Sequence, residues 1–140
     1  MNNQVYPCLW FENQARAAAD FYCSVFKNSK ITSENSMVVT FELNGTKFMA
    51  LNAGPEFQFN EAVSFVVDCE TQDEIDYYWN KLTRDGSEGQ CGWLKDRYGV
   101  SWQIVPTVLG KLMSNPEKSP KVMKEILKMK KLEIEKLETA

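Results

Sequence analysis

Four cysteines, no histidine and a thin scatter of carboxylates and amides bound what this chain can do chemically. Cys8, Cys23, Cys69 and Cys91 form no C-x-x-C pair, so both the ligand spacing of a zinc ribbon and the dithiol of a thioredoxin-like site are missing. Without histidine there is no Ser-His-Asp or Cys-His couple, and the commonest metal ligand is lost. The cysteines read as reduced, packed thiols. A reactive Cys8 or Cys91 would need a neighbouring cation. Glu56, just after Gly54-Pro55, is a weak catalytic candidate as a proton acceptor, against the ordinary reading of a solvated loop carboxylate. Gln103, in the run CGWLKDRYGVSWQIVP from Cys91 to Pro106, is a polar residue in an apolar strand. It either meets a ligand or hydrogen-bonds a neighbouring strand. Trp10 and Trp93 are candidates for lining a cavity, each with an apolar face and one N–H donor. Alternation along the strand turns Trp102 away from Gln103.

The elements that must position these groups fit within 140 residues of 44% hydrophobic content, enough for one domain or two small modules sharing a sheet system. A net charge of -3 with both signs interleaved leaves no footprint for nucleic acid or an anionic membrane. A small molecule is the expected partner. There is no basic-then-apolar leader pattern and no apolar run of the roughly 18 residues a membrane span needs, so a cytoplasmic protein is expected.

Residues 5–11 read as a strand, and Asn13 as a cap for a helix over 14–26. Strands follow at 30–33, 37–43 and 47–52, the last two joined by Asn44-Gly45, which supplies both positive-φ positions of a type I′ turn. After a loop with Phe57 and Phe59 comes a strand over 63–67. Thr71 and Glu74 form a capping box for a helix running to about Arg84, with Ile75, Tyr78, Trp79 and Leu82 inward. Two short strands follow, near 92–95 and 100–105. Strand, helix and strands thus occur twice. Finally, Pro116 and Pro120 bracket a turn, Ser119 caps, and one helix is expected over 121–137 with a broad apolar stripe that needs a partner surface.

Several segments carry a family resemblance: LWFEN at 9–13, AAADFY at 17–22, VFKNS at 25–29, ALNAGP at 50–55, SFVV at 64–67 and above all GQCGWLKD at 89–96. Together they resemble the PhnB-like branch of the vicinal oxygen chelate, or glyoxalase/bleomycin resistance, superfamily, whose members also carry the label 3-demethylubiquinone-9 3-methyltransferase-like. The resemblance spans about residues 4–137. It implies an α+β fold of two βαβββ modules, here about 4–53 and 61–106 of a single domain 1–140, with a C-terminal helical extension over 107–140. It also implies a sheet cleft and a homodimer.

In metal-using members of that superfamily four side chains enter the cleft, and the resemblance carries those positions to Pro7, about Asn52, about Ala62 and Gln103, or, with a slip of one or two residues, to Tyr6, Cys8, Glu61 or Ser64. Two of the first four offer no side-chain donor, and two offer neutral amides. The expectation is therefore no metal and no cofactor, with Cys8, Trp10, Asn52, Trp93 and Gln103 as ligand-cleft candidates. A metal-free binding protein is preferred over a lyase, isomerase or dioxygenase, whether metal-dependent or using a carboxylate base. Methyl transfer lacks the glycine-rich strand-to-helix loop of a nucleotide-like cofactor site.

Overall fold

The computed structural model describes residues 3–140 and divides into two compact units, meeting in sequence at Phe59 and Asn60. The first is β1 (Cys8–Phe11), α1 (Ala15–Val25), β2 (Ser29–Glu34), β3 (Val38–Leu43) and β4 (Thr46–Asn52). These strands form one sheet in the order β1-β4-β3-β2, with β1 parallel to β4 and the other pairs antiparallel. Asn44 and Gly45 both have positive φ, 49° and 88°, so the hairpin turn is the one its sequence dictates. Alternation buries Val39, Phe41 and Leu43 of β3 with Phe48 and Ala50 of β4. α1 covers that face with Ala15, Ala18, Ala19, Tyr22 and Val25. Its alanines let the helix lie close, and Tyr22 stacks on Phe41, whose ring stacks in turn on Phe48.

The start of α1 departs from expectation. Gln14, not Asn13, occupies the cap position and makes no side-chain cap bond. The Ala15 N–H donates instead to Oδ1 of Asn52, at 2.8 Å, from the end of β4. A side chain distant in sequence supplies the acceptor that an N-cap residue ordinarily provides.

The second unit repeats the order: β5 (Ser64–Cys69), α2 (Gln72–Thr83), β6 (Ser87–Glu88), β7 (Trp93–Lys95) and β8 (Ser101–Pro106), in a sheet ordered β5-β8-β7-β6. The fold is α+β, βαβββ stated twice. The Thr71–Glu74 capping box is formed as expected, and Ile75, Trp79 and Leu82 are buried, while Tyr78 is half-buried. β6 was not legible, since two residues carry no alternation.

Beyond β8 comes α3 (Val108–Met113), and the single helix expected over 121–137 is two short ones, α4 (Ser119–Leu127) and α5 (Ile134–Glu138). Ser119 is the first residue of α4 rather than its cap, with Pro120 in the first turn. The break at residues 128–133 has a physical cause. The apolar stripe is too broad for one helix face, and turning back buries Met129, Leu132 and Leu137 together with Leu112, Val122 and Ile126. Each such side chain is worth about 1.5–3 kcal/mol when removed from water. The backbone freed by the break is satisfied locally. Cys91 N–H donates to Met129 O and Gly92 N–H to Lys130 O, both at 2.8 Å, while the Gln72 amide donates to Leu132 O and accepts from Ile134 N–H. The extension therefore packs on the second unit of its own chain. Among the described residues no helix is long and apolar enough to cross a membrane.

Candidate functional site

The register of the second sheet sorts its residues by face. Gln103 of β8 lies between Val66 of β5 and Trp93 of β7, and Ser101 lies between Ser64 and Lys95. Directly paired residues share a face. The opposite face carries Leu94, Trp102 and Ile104, which are buried where α2 covers the sheet. Trp102 thus points away from Gln103, as alternation predicts. Gln103 is half-buried and donates from Nε2 to Ser64 Oγ at 3.0 Å, so it does make the strand-to-strand contact that was one of its two readings.

Trp93 is distinguished by its N–H. Trp10 donates to Gly54 O, Trp79 to Glu88 Oε1 and Trp102 to Asp96 Oδ2. Trp93, half-buried, is the one tryptophan whose indole N–H makes no such bond among the described residues. It lines a pocket of about 520 Å³ together with Lys95, Ser101, Glu61, Ser87 and Gln90. That volume lies within the range of small-molecule sites. Two glycines shape it. A Cβ on Gly86 would lie 2.2 Å from Lys95 O, and one on Gly89 2.8 Å from Trp93 O, so only glycine lets the chain lie against β7 here.

The pocket has a defined polar pattern. Lys95 Nζ pairs with Glu61 Oε1 at 3.0 Å, and this hydrogen bond and charge hold the Glu61 carboxyl below the usual carboxylate range. Ser101 is 1% exposed, and its Oγ has no hydrogen-bond partner among the described residues. A buried hydroxyl in that state is uncommon.

The first-unit candidates are placed differently. Cys8 is exposed and Trp10 half-buried on β1, paired with Met49 and Leu51 on the open face of that sheet. The Trp10 ring meets Phe57 edge-on at 4.9 Å, and its N–H is committed to Gly54, so it braces the 53–59 loop. Asn52 shares the helix-covered face of β4 with Phe48 and Ala50. Its amide is used by Ala15 N–H and Ser36 O, which removes it from the open face where a cleft ligand was expected to meet it. Glu56 is exposed in the loop.

The donor set does not fit a metal of the kind the superfamily uses. Pro7 serves through its backbone, accepting from Met49 N–H. Ala62 lies before β5 and donates its N–H to Asn60 Oδ1. Asn52 caps α1, and Gln103 holds Ser64. Among the described residues no three His, Cys, Asp or Glu side chains come together in a way that could hold a metal ion. Of the residues that line this pocket, the sequence reading singles out Trp93 and not Lys95 or Ser101, while Gln103 is not part of the lining. The signal for Lys95 was the two-residue spacing from Trp93 on one strand; Ser101 required the register.

Comparison with known proteins places this architecture. A structure of protein PA1353 from Pseudomonas aeruginosa shares the fold at TM-score 0.61 and 18% identity over 75% of this chain and 98% of that one. So does the fosfomycin resistance protein FosX from Listeria monocytogenes, solved with Mn(II) and sulfate, at TM-score 0.61 and 12% identity over 81% and 97%. These two show a shared fold. A PhnB protein from Bacillus cereus, described as a putative 3-demethylubiquinone-9 3-methyltransferase, is 34% identical, with TM-score 0.69, over 75% of this chain and 100% of its own. The family model for 3-demethylubiquinone-9 3-methyltransferase matches residues 3–105. The chain belongs to this PhnB-like family. No curated protein matches it.

Proposed function

We propose that this protein binds a small molecule against the open face of its second sheet, in the pocket at Trp93, without using a metal. One observation carries the reading: the tryptophan whose indole N–H has no partner among the described residues lines a pocket of about 520 Å³. An apolar wall with a few fixed polar groups is the usual composition of a small-molecule site. The test is a thermal-shift panel of uncharged and charged aromatic compounds on the wild type and Trp93→Ala. A compound that stabilises the wild type and not the variant supports the reading; shifts that persist in Trp93→Ala contradict it.

A second reading, an enzyme of the lyase, isomerase or dioxygenase kind using a carboxylate base, draws on Glu61 at the pocket. It ranks below binding because a carboxyl held low by Lys95 is a weak base near neutral pH. Glu56 lies exposed in a loop. Methyl transfer has no support from a glycine-rich cofactor loop. The reading takes the protein as a cytoplasmic homodimer, which sedimentation equilibrium and cell fractionation check.

A further inference from the structure

The pocket at Trp93 carries one cation, and that cation is held by a replaceable partner. Lys95 and Glu61 are 40% and 64% exposed in their side chains, and an ion pair so exposed contributes little net stability. Glu61 sits in the segment ahead of β5, outside the sheet, so its side chain can leave without disturbing a strand. Beside Lys95, in register with it, is the buried Ser101 hydroxyl that has no partner among the described residues. Lys95 and Ser101 together offer the donors a carboxylate needs, and Glu61 already shows a carboxylate on Lys95. Trp93 stands two residues from Lys95 on the same face of β7, about 7 Å away along the strand.

We infer that the ligand is a carboxylic acid with a flat apolar body, whose carboxylate displaces Glu61 from Lys95 and accepts the Ser101 hydroxyl while its ring lies on Trp93. This rests on the binding reading above and adds the ligand's class. Lys95 can match one negative charge, and because Glu61 and Glu88 also line the pocket, the second charge of a dianion such as a phosphate ester adds repulsion that nothing in the lining offsets. Ring and carboxylate are separated by about the spacing of alternate strand residues.

The experiment titrates the 15N-labelled full chain with 4-phenylbutyrate, its neutral amide 4-phenylbutyramide, and phenyl phosphate. We expect the acid to shift the Trp93 indole and Ser101 amide resonances saturably, with a Kd at least tenfold below that of the amide and of the phosphate. Glu61→Gln removes the internal competitor and should tighten acid binding about threefold or more, leaving the amide unchanged. Lys95→Met should abolish the preference for the acid. Both side chains are partly exposed, and unchanged thermal midpoints verify the fold. Equal affinity for acid and amide, weaker acid binding in Glu61→Gln, or a phosphate that binds as well as the acid each overturn the inference while the pocket reading stands. Binding of neither acid nor amide overturns the inference, and the pocket reading then falls only if the thermal-shift panel is also silent.

Discussion

Asp96 accepts the indole N–H of Trp102 at 2.9 Å, and both residues are about 3% exposed. The same carboxylate accepts from Tyr98 N–H at 2.8 Å and Val100 N–H at 3.1 Å. The Asp96-Arg97-Tyr98-Gly99 turn is thus organised around one buried anion that ties β7 to β8, with Gly99 at φ 87° supplying the backbone reversal. Its conspicuous sequence serves geometry, and the pocket residues Lys95 and Ser101 flank it.

Asp96→Ala should therefore destabilise the protein by about 3 kcal/mol or more, since three donors lose a charged acceptor. Chemical denaturation measures this. Asp96→Asn, which keeps one acceptor oxygen, should cost less. A loss under about 1 kcal/mol in the alanine variant would show that the turn closes without its carboxylate.

Asn52 gives a sharper contrast between structural and ligand roles. Because its Oδ1 caps α1, Asn52→Ala should cost about 1 kcal/mol in stability, whereas Asn52→Asp should be close to neutral, a carboxylate being favoured at a helix N-terminus. Neither change should alter ligand binding at Trp93. Thermal unfolding and a binding titration on the two variants check both halves.

Gly92 ties the helical extension to the second sheet. Its φ is 85°, and a Cβ there would lie 3.1 Å from Ile104 O and from Leu132 side-chain carbons. Gly92→Ala should cost about 1–3 kcal/mol, and hydrogen exchange should rise first at the amides of residues 91 and 92, whose acceptors are Met129 and Lys130. Unchanged protection there would separate the glycine from the docking of the extension.

Cys69 is fully buried, and burial, helped by the nearby Glu74 and Asp68 charges, pushes its thiol up to about 12. An unfolded thiol titrates near 8.5. The folded state thus favours the neutral thiol, a contribution complete below about pH 8.5 and lost progressively as pH rises toward 12. In single-cysteine variants at pH 8, an aromatic disulfide reagent should label the exposed Cys8 readily and Cys69 only after denaturation. Rapid labelling of Cys69 in the native protein would contradict its placement.

What could be read from sequence was local. The Asn44-Gly45 turn and the Thr71–Glu74 capping box depend on residues at most three apart, and both formed as written. The capping of α1 by Asn52 was not legible, because its partner, Ala15, lies 37 positions away in the chain. The break within 121–137 buries Met129, Leu132 and Leu137, and Cys91, Gly92 and Gln72 take up the backbone it frees, partners that no helical periodicity reveals. Strand alternation alone predicts that Trp102 points away from Gln103, and the register of β8 bears that out. The Lys95–Glu61 pair and the buried Ser101 emerged only from the pairing of β5, β7 and β8.

The central claim is that a small molecule occupies the pocket at Trp93, and the four tryptophan indole N–H resonances test it directly. Three are held by Gly54, Glu88 and Asp96. Titration of the 15N-labelled protein with a compound that stabilises it should move the Trp93 indole signal saturably while leaving that of Trp102 in place. A stabilising compound that leaves Trp93 unmoved, or shifts Trp102 instead, would contradict the account.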